Sequence, residues 1–310
     1  MRRVLQTLLC SALVVLCATS VGVQSATVDS AQLLRDLETL SSDEMEGRLP
    51  GTPGGAKARA YILRRYKEAG IQPIGDSYER PFAFQGRGDS SDQRGVNIIG
   101  VVRGRREPGR FIVLTAHYDH LGVRNGQIFN GADDNASGVA AILAIAARAS
   151  ADKPEHSLVF AALDAEESGL HGARAFLRDP PVARDAIVMN VNLDMVARDA
   201  NNVLYASGTF HSPFLKAYLK DVARPPVTLR LGHDATKTTD DDWTEDSDHF
   251  PFHQAGIPFI YFGVEDEAQH HKATDDAETV TKAFFVGATN TILAAVRKFD
   301  ANLEAISARR

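Results

Sequence analysis

Apolar positions follow two rhythms along this chain. Residues 31–40 place Leu33, Leu34, Leu37 and Leu40 at helical spacing, with Ser30 as the predicted N-cap. A Gly/Pro cluster at 47–55 breaks the chain, and residues 56–69 read as a second amphipathic helix with Ala60, Ile62, Leu63 and Tyr66 inward and Gly70 just beyond its end. Residues 78–84 and 96–102 read as strands. Residues 110–116 form a short continuous apolar run, the pattern of a strand buried on both faces. Helices are then predicted at 137–148, 172–177, 212–222 (Pro213 in the first turn) and 281–299, and strands at 158–163, 187–193 and 257–262. This alternation predicts an α/β fold: a single globular domain with a mixed, mostly parallel β-sheet flanked by helices. The connection between Phe84 and Val96 is too short to hold an inserted domain.

The first residues break the pattern. Arg2 and Arg3 precede an uncharged, mostly apolar stretch at 4–23, and small residues follow up to Ala26. This predicts a signal peptide over 1–26 and a mature chain of 27–310 that is secreted or periplasmic. The alternative is a membrane anchor, but Gln6, Thr7, Ser11, Thr19 and Ser20 dilute the stretch, so no stable membrane span is expected after cleavage. Lipid attachment at Cys17 is disfavoured by Val15 and Leu16 before it. Cleavage removes Cys10 and Cys17, the only cysteines, and with them any disulfide or thiolate site. It also removes two positive charges and no acids, so the formal charge becomes more negative than −6. A mildly acidic chain gives no basic face for nucleic acid.

Five separated segments are rich in metal-ligand side chains: His117-Tyr118-Asp119-His120, residues 131–138, Glu166-Glu167, Asn192-Leu193-Asp194-Met195, and His270-His271 with Asp275. Each ends or follows an apolar run, and strand ends in an α/β sheet are where ligand sites are built. Taken singly, Asp133-Asp134-Asn135 is a turn and Glu166-Glu167 a solvated face. Together they would gather carboxylates at the mouth of one sheet, which repel unless cations neutralise them. Imidazole and carboxylate without thiolate suits zinc or a similar divalent ion in a catalytic site.

These segments resemble the secreted dinuclear zinc aminopeptidases, a metallopeptidase family that also contains glutaminyl cyclases and transferrin-receptor-like proteins. The resemblance runs from about residue 40 to 281 and rests on HYDHLG at 117–122, GADDNASG at 131–138, EESGLHG at 166–172, NLDM at 192–195, SDHFPF at 247–252 and H-x-x-x-D at 271–275, with EGRLPGTPGG at 46–55 before them. It implies a zinc exopeptidase-like fold and two zinc ions per chain. One ion would be held by His117 and Asp194, the other by Glu167 and His271, with Asp133 bridging both. Glu166 would be the general base. Asp119 would orient His117, and Asp275 would do the same for His271. Asp134 is placed around the ions or the substrate. The family's non-proline cis bond would fall between Asp133 and Asp134. Ser137 and Ser247 are structural in this reading, since no covalent nucleophile is needed.

Many relatives carry tyrosine immediately before the last histidine ligand, where its hydroxyl supports the oxyanion; here that position is His270, which leaves His270 and His249 as candidates. His156, His171, His211 and His233 match no ligand position and are expected at the surface, and the acidic stretch 240–246 is expected to be a solvated loop. The implied function is an aminopeptidase acting on peptides with a free N-terminus. The alternatives are a glutaminyl cyclase, which works with one zinc and departs from the Asp-Asp-Asn pattern, a carboxypeptidase on the same fold, and a non-catalytic peptide-binding module.

Overall fold

A computed structural model describes residues 27–86, 92–235, 241–266 and 268–309; the expected signal peptide lies outside them. The strands are β1 (Gln72–Pro73), β2 (Glu79–Gln85), β3 (Asp92–Val102), β4 (Glu107–His117), β5 (Gly122–Arg124), β6 (Gln127–Phe129), β7 (His156–Leu163), β8 (Ile187–Leu193), β9 (Val203–Ser207), β10 (Thr228–Leu231) and β11 (Phe259–Gly263). The α-helices are α1 (Ser30–Leu40), α2 (Pro53–Glu68), α3 (Gly138–Asp152), α4 (His171–Arg178), α5 (His249–Gln254), α6 (Lys282–Ala301) and α7 (Leu303–Ser307).

One large sheet runs in the order β1-β3-β7-β4-β8-β11-β9-β10, with β2 paired to β3. Its heart, β7-β4-β8-β11, is parallel, and β3 and β9 join antiparallel on either side. The fold is therefore the mixed sheet flanked by helices that the patterning predicts. Every residue of β7 and of β8 is buried, as a two-faced cover demands. On one face α1, α2, α3 and α6 pack around Leu37, Ile62, Ile142, Phe160, Phe285 and Ile292. On the other, α4 and α5 cover Val113, Val159, Phe176 and Phe252. Emptying such a site, as in Phe160→Ala, costs about 3–5 kcal/mol.

Local departures have local causes. Asp29, not Ser30, caps α1, its Oδ1 accepting from Gln32 N at 3.0 Å. The segment expected to be an α-helix at 212–222 winds instead as a 3₁₀ helix, Pro213–Leu219. Strand β9 is five residues long and β10 four, and β10 is mostly exposed, so neither offers the apolar run that marks the central strands. None of the described helices is long and apolar enough to cross a membrane.

Candidate metal centre

Parallel neighbours bring their carboxyl ends to the same side. The pairing of Thr115 with Asn192 carries His117 and Asp194, each two residues further on, to the same level, and His117 Nε2 lies 3.3 Å from Asp194 Oδ1. The pairing of His117 with Leu163 places the loop after β7 beside them, and Glu166 Oε2 reaches within 3.9 Å of His117 Nε2. The loop after β11 returns His271, whose Nε2 is 2.9 Å from Glu167 Oε2.

The structure puts Asp134, not Asp133, where the bridge was expected. Asp134 Oδ1 is 3.4 Å from His117 Nε2, and Oδ2 is 3.3 Å from His271 Nε2. His117, Asp134 and Asp194 form one group able to hold an ion, and Asp134 recurs in the groups with His120 and Glu167 and with His270 and His271. Asp133 is turned into the protein, where its Oδ1 accepts from Ala197 N at 2.7 Å. The non-proline cis peptide likewise lies one residue further on, between Asp134 and Asn135. The turn is pinned from several sides. Asn135 Nδ2 donates to Leu193 O, its Oδ1 accepts from Gly138 N, and Ser137 Oγ donates to Asp133 O. Gly131 has φ +53°, and a Cβ there would sit 2.0 Å from Asp134 O and 2.5 Å from the His120 ring.

Asp275 also differs from expectation. Its carboxylate accepts from the backbone N–H of Asp133 and Asp134 at 3.0–3.1 Å and pairs with Arg198, so it positions the Asp134 turn and not His271. The Asp119 carboxylate accepts from Glu166 N and Glu167 N at 3.0 and 3.3 Å, while His117 Nδ1 lies 3.1 Å from the Asp119 backbone oxygen. Asp119 thus holds the ring mainly through its main chain and the glutamate pair through its side chain. Behind Asp194 runs a polar line inside the sheet: Thr115 Oγ1 donates to Asn192 Oδ1, Asn192 Nδ2 to Ser247 Oγ, and Ser247 Oγ to Asp194 Oδ2 at 2.6 Å.

His249 does not face the site. It is fully buried, its Nε2 is 2.9 Å from Trp243 O, and its ring stacks on Tyr261 at 4.6 Å. Burial holds its pKa down at about 3, so the ring is neutral. Tyr261, in front of it, lines the cavity instead. His270 sits on the rim, 3.6 Å from Asp134 Oδ2. Two contributors had no assigned role in the sequence. His120 Nδ1 is 2.7 Å from Glu167 Oε1, although its segment had been singled out. Arg48, within the EGRLPGTPGG stretch, is fully buried and donates to the backbone oxygens of Leu40, Tyr118, Asn130 and Gly131. Burial pulls its pKa down to about 10, opposed by Asp134, Asp275, Asp119 and Glu167, and it remains a cation at neutral pH. Arg48→Met should abandon these buried acceptors at about 1–3 kcal/mol each. A urea-denaturation midpoint close to wild type would contradict this clamp.

The electrostatics favour a cation. Burial raises the Glu166 carboxyl well above the usual range; His117 opposes the rise, and Asp194, Asp248 and Glu167 add to it. Hydrogen bonds to Asp134 and Glu167 push His271 up to about 10. These carboxylates and imidazoles converge without a thiol, and the donor set fits zinc. The cluster opens on a cavity of about 1120 Å³, whose wall, among the described residues, carries Asp241, Trp243, Glu245, Asp246, Glu265 and Arg174.

Such a cluster at the carboxyl ends of parallel strands has the make-up of a catalytic metal centre. The chain belongs to peptidase family M28, whose family model matches residues 97–296, and it is thus of the metallopeptidase class. It is 30% identical over 200 residues to the Zea mays protein named "Probable glutamate carboxypeptidase VP8", a match covering 56% of this chain and 25% of that one. It is 30% identical over 218 residues to aminopeptidase YwaD of Bacillus subtilis, covering 66% of this chain and 45% of that one. The matches therefore span a quarter of the length of the first of these relatives and just under half of the second. Among solved structures, Porphyromonas gingivalis glutaminyl cyclase superposes with TM-score 0.71 at 19% identity, covering 87% of this chain and 98% of that one. BSAP, a zinc aminopeptidase from Bacillus subtilis, does so with TM-score 0.68 at 17% identity, covering 88% and 95%. At these identities the superpositions speak for the fold.

Proposed function

We propose that this chain is a two-zinc aminopeptidase that removes residues from the free N-terminus of peptides and acts outside the cytoplasm. The observation that carries the reading is the place of Asp134 between two imidazole–carboxylate pairs, His117 with Asp194 and His271 with Glu167. Those residues would hold the ions, with Asp134 common to both. When bound, two zinc ions supply Lewis-acid polarisation of the scissile carbonyl and a more acidic water. Glu166 takes the proton of the attacking water and returns it to the leaving nitrogen, a task suited to a carboxyl whose proton affinity burial raises above that of an ordinary carboxylate. Asp119 fixes Glu166 by its backbone N–H. Tyr261 and His270 line the cavity and are the candidate donors to the developing oxyanion.

The wall chemistry supports the choice of terminus. Among the described residues of the wall Asp241, Glu245, Asp246 and Glu265 outnumber Arg174, and an acidic wall attracts an α-ammonium group and repels a C-terminal carboxylate. A rate screen on purified mature protein tests this. Aminoacyl substrates should be hydrolysed, N-blocked and C-terminal substrates should not, chelation should abolish turnover, and added zinc should restore it. Release of C-terminal residues, or pyroglutamate formation from N-terminal glutamine, would replace this assignment with the carboxypeptidase or cyclase reading.

A further inference from the structure

We propose a second, structural divalent-cation site at the opposite end of the sheet, formed by His156, Glu107 and Glu304. Glu107 and His117 are the first and last residues of β4, so at about 3.3 Å per residue the two sites lie roughly 30 Å apart. His156 opens β7, and although expected at the surface it is 1% exposed.

Its ring is set like that of a metal-bound histidine. Asp300 Oδ1 accepts from the His156 backbone N at 2.8 Å and lies 3.0 Å from His156 Nδ1, and Asp300 Oδ2 accepts from Glu155 N at 2.9 Å. A carboxylate anchored by two backbone donors fixes Nδ1 as the protonated nitrogen and leaves the Nε2 lone pair free. A carboxylate behind a ligating imidazole does this at many zinc centres. Nε2 is buried and has no hydrogen-bond partner among the described residues.

Nε2 points toward carboxylates too distant to bond it. Glu107 Oε2 is 3.9 Å away, and ligand atoms of His156, Glu107 and Glu304 all lie within 4.8 Å of one another. Two ligands on one tetrahedral zinc are about 3.4 Å apart, given bonds of roughly 2.0–2.2 Å. Glu107 and Glu304 are partly exposed, 43% and 60% at the side chain, and small rotations close the difference. Glu304 now pairs with Arg106, which leaves its second oxygen for the ion, and water completes the shell. An ion here would tie α7 to the amino ends of β4 and β7. The competing arrangement is a protonated His156 between Asp300 and Glu107 with no ion.

Crystals of the wild-type chain equilibrated with zinc chloride, measured on both sides of the zinc absorption edge, separate the two. The proposal requires an anomalous peak about 2.0–2.1 Å from His156 Nε2. In solution, the Glu107→Gln/Glu304→Gln chain should bind one zinc fewer than wild type by elemental analysis, with the ions of the catalytic cavity unchanged. Its zinc-dependent rise in Tm should also be smaller. Absence of the peak, or equal zinc content in the two chains, overturns the site. Should the double variant not fold, the wild-type map alone decides. None of these readouts depends on peptidase activity, so the site and the catalytic assignment fail separately.

Discussion

Asp134→Ala is expected to cost the chain both its metal and its turnover, while Asp133→Asn leaves both largely in place. Asp134 offers one oxygen toward His117 and the other toward His271, so its loss takes a ligand from each half of the centre. Metal affinity should fall by more than the roughly 10–100-fold that follows loss of an outer-shell partner, with hydrolysis falling alongside. Asp133 instead accepts from Ala197 N, and asparagine keeps an acceptor oxygen at that position. Elemental analysis and initial rates on the two purified variants decide it. If Asp133→Asn loses metal and Asp134→Ala keeps it, the bridge belongs one residue earlier, where the sequence motif had placed it.

That one-residue displacement marks the limit of what motif matching delivers. The motif GADDNASG says that a carboxylate of this turn faces the centre, but three consecutive polar residues leave its direction to the backbone. The direction is set by partners far away in sequence: Asp275 holding two amides, Leu193 O holding Asn135, and Ala197 N holding Asp133. Where one element carries the information, sequence suffices. The buried runs of β4, β7 and β8 mark themselves by continuous apolar residues, and because the strands are parallel their ends gather His117, Glu166, Glu167 and Asp194 at one place. Arg48 was opaque for the same reason as Asp134, since its four acceptors come from segments up to 83 residues away. The place of His249 was also hidden. A histidine in an SDHFPF motif reads as chemistry, yet the stack with Tyr261 and the bond to Trp243 O make it part of the wall behind the site.

The adjacent glutamates give the sharpest division of labour. Glu167 faces His120 at 2.7 Å and His271 at 2.9 Å, within the second ligand group. Glu166 lies beside His117 at 3.9 Å and, among the ion-holding groups of the described residues, belongs to none. Glu166→Gln should therefore retain both ions and the fold and still bind product-like inhibitors. An amide cannot take the water's proton, so turnover should drop by at least the roughly 10²–10⁴-fold attributed to general-base catalysis. Glu167→Gln should instead weaken one ion, and excess zinc should return part of the activity. Its weaker acceptor also loosens His271, which reaches the site from a half-exposed loop and has Glu167 as its nearest acidic partner. Rate and metal content measured together thus move in opposite patterns for two residues that differ only in which way one peptide unit turns them. Metal loss from Glu166→Gln with both ions kept in Glu167→Gln would reverse their roles, and unchanged hydrolysis in both would remove the peptidase assignment from this cluster altogether.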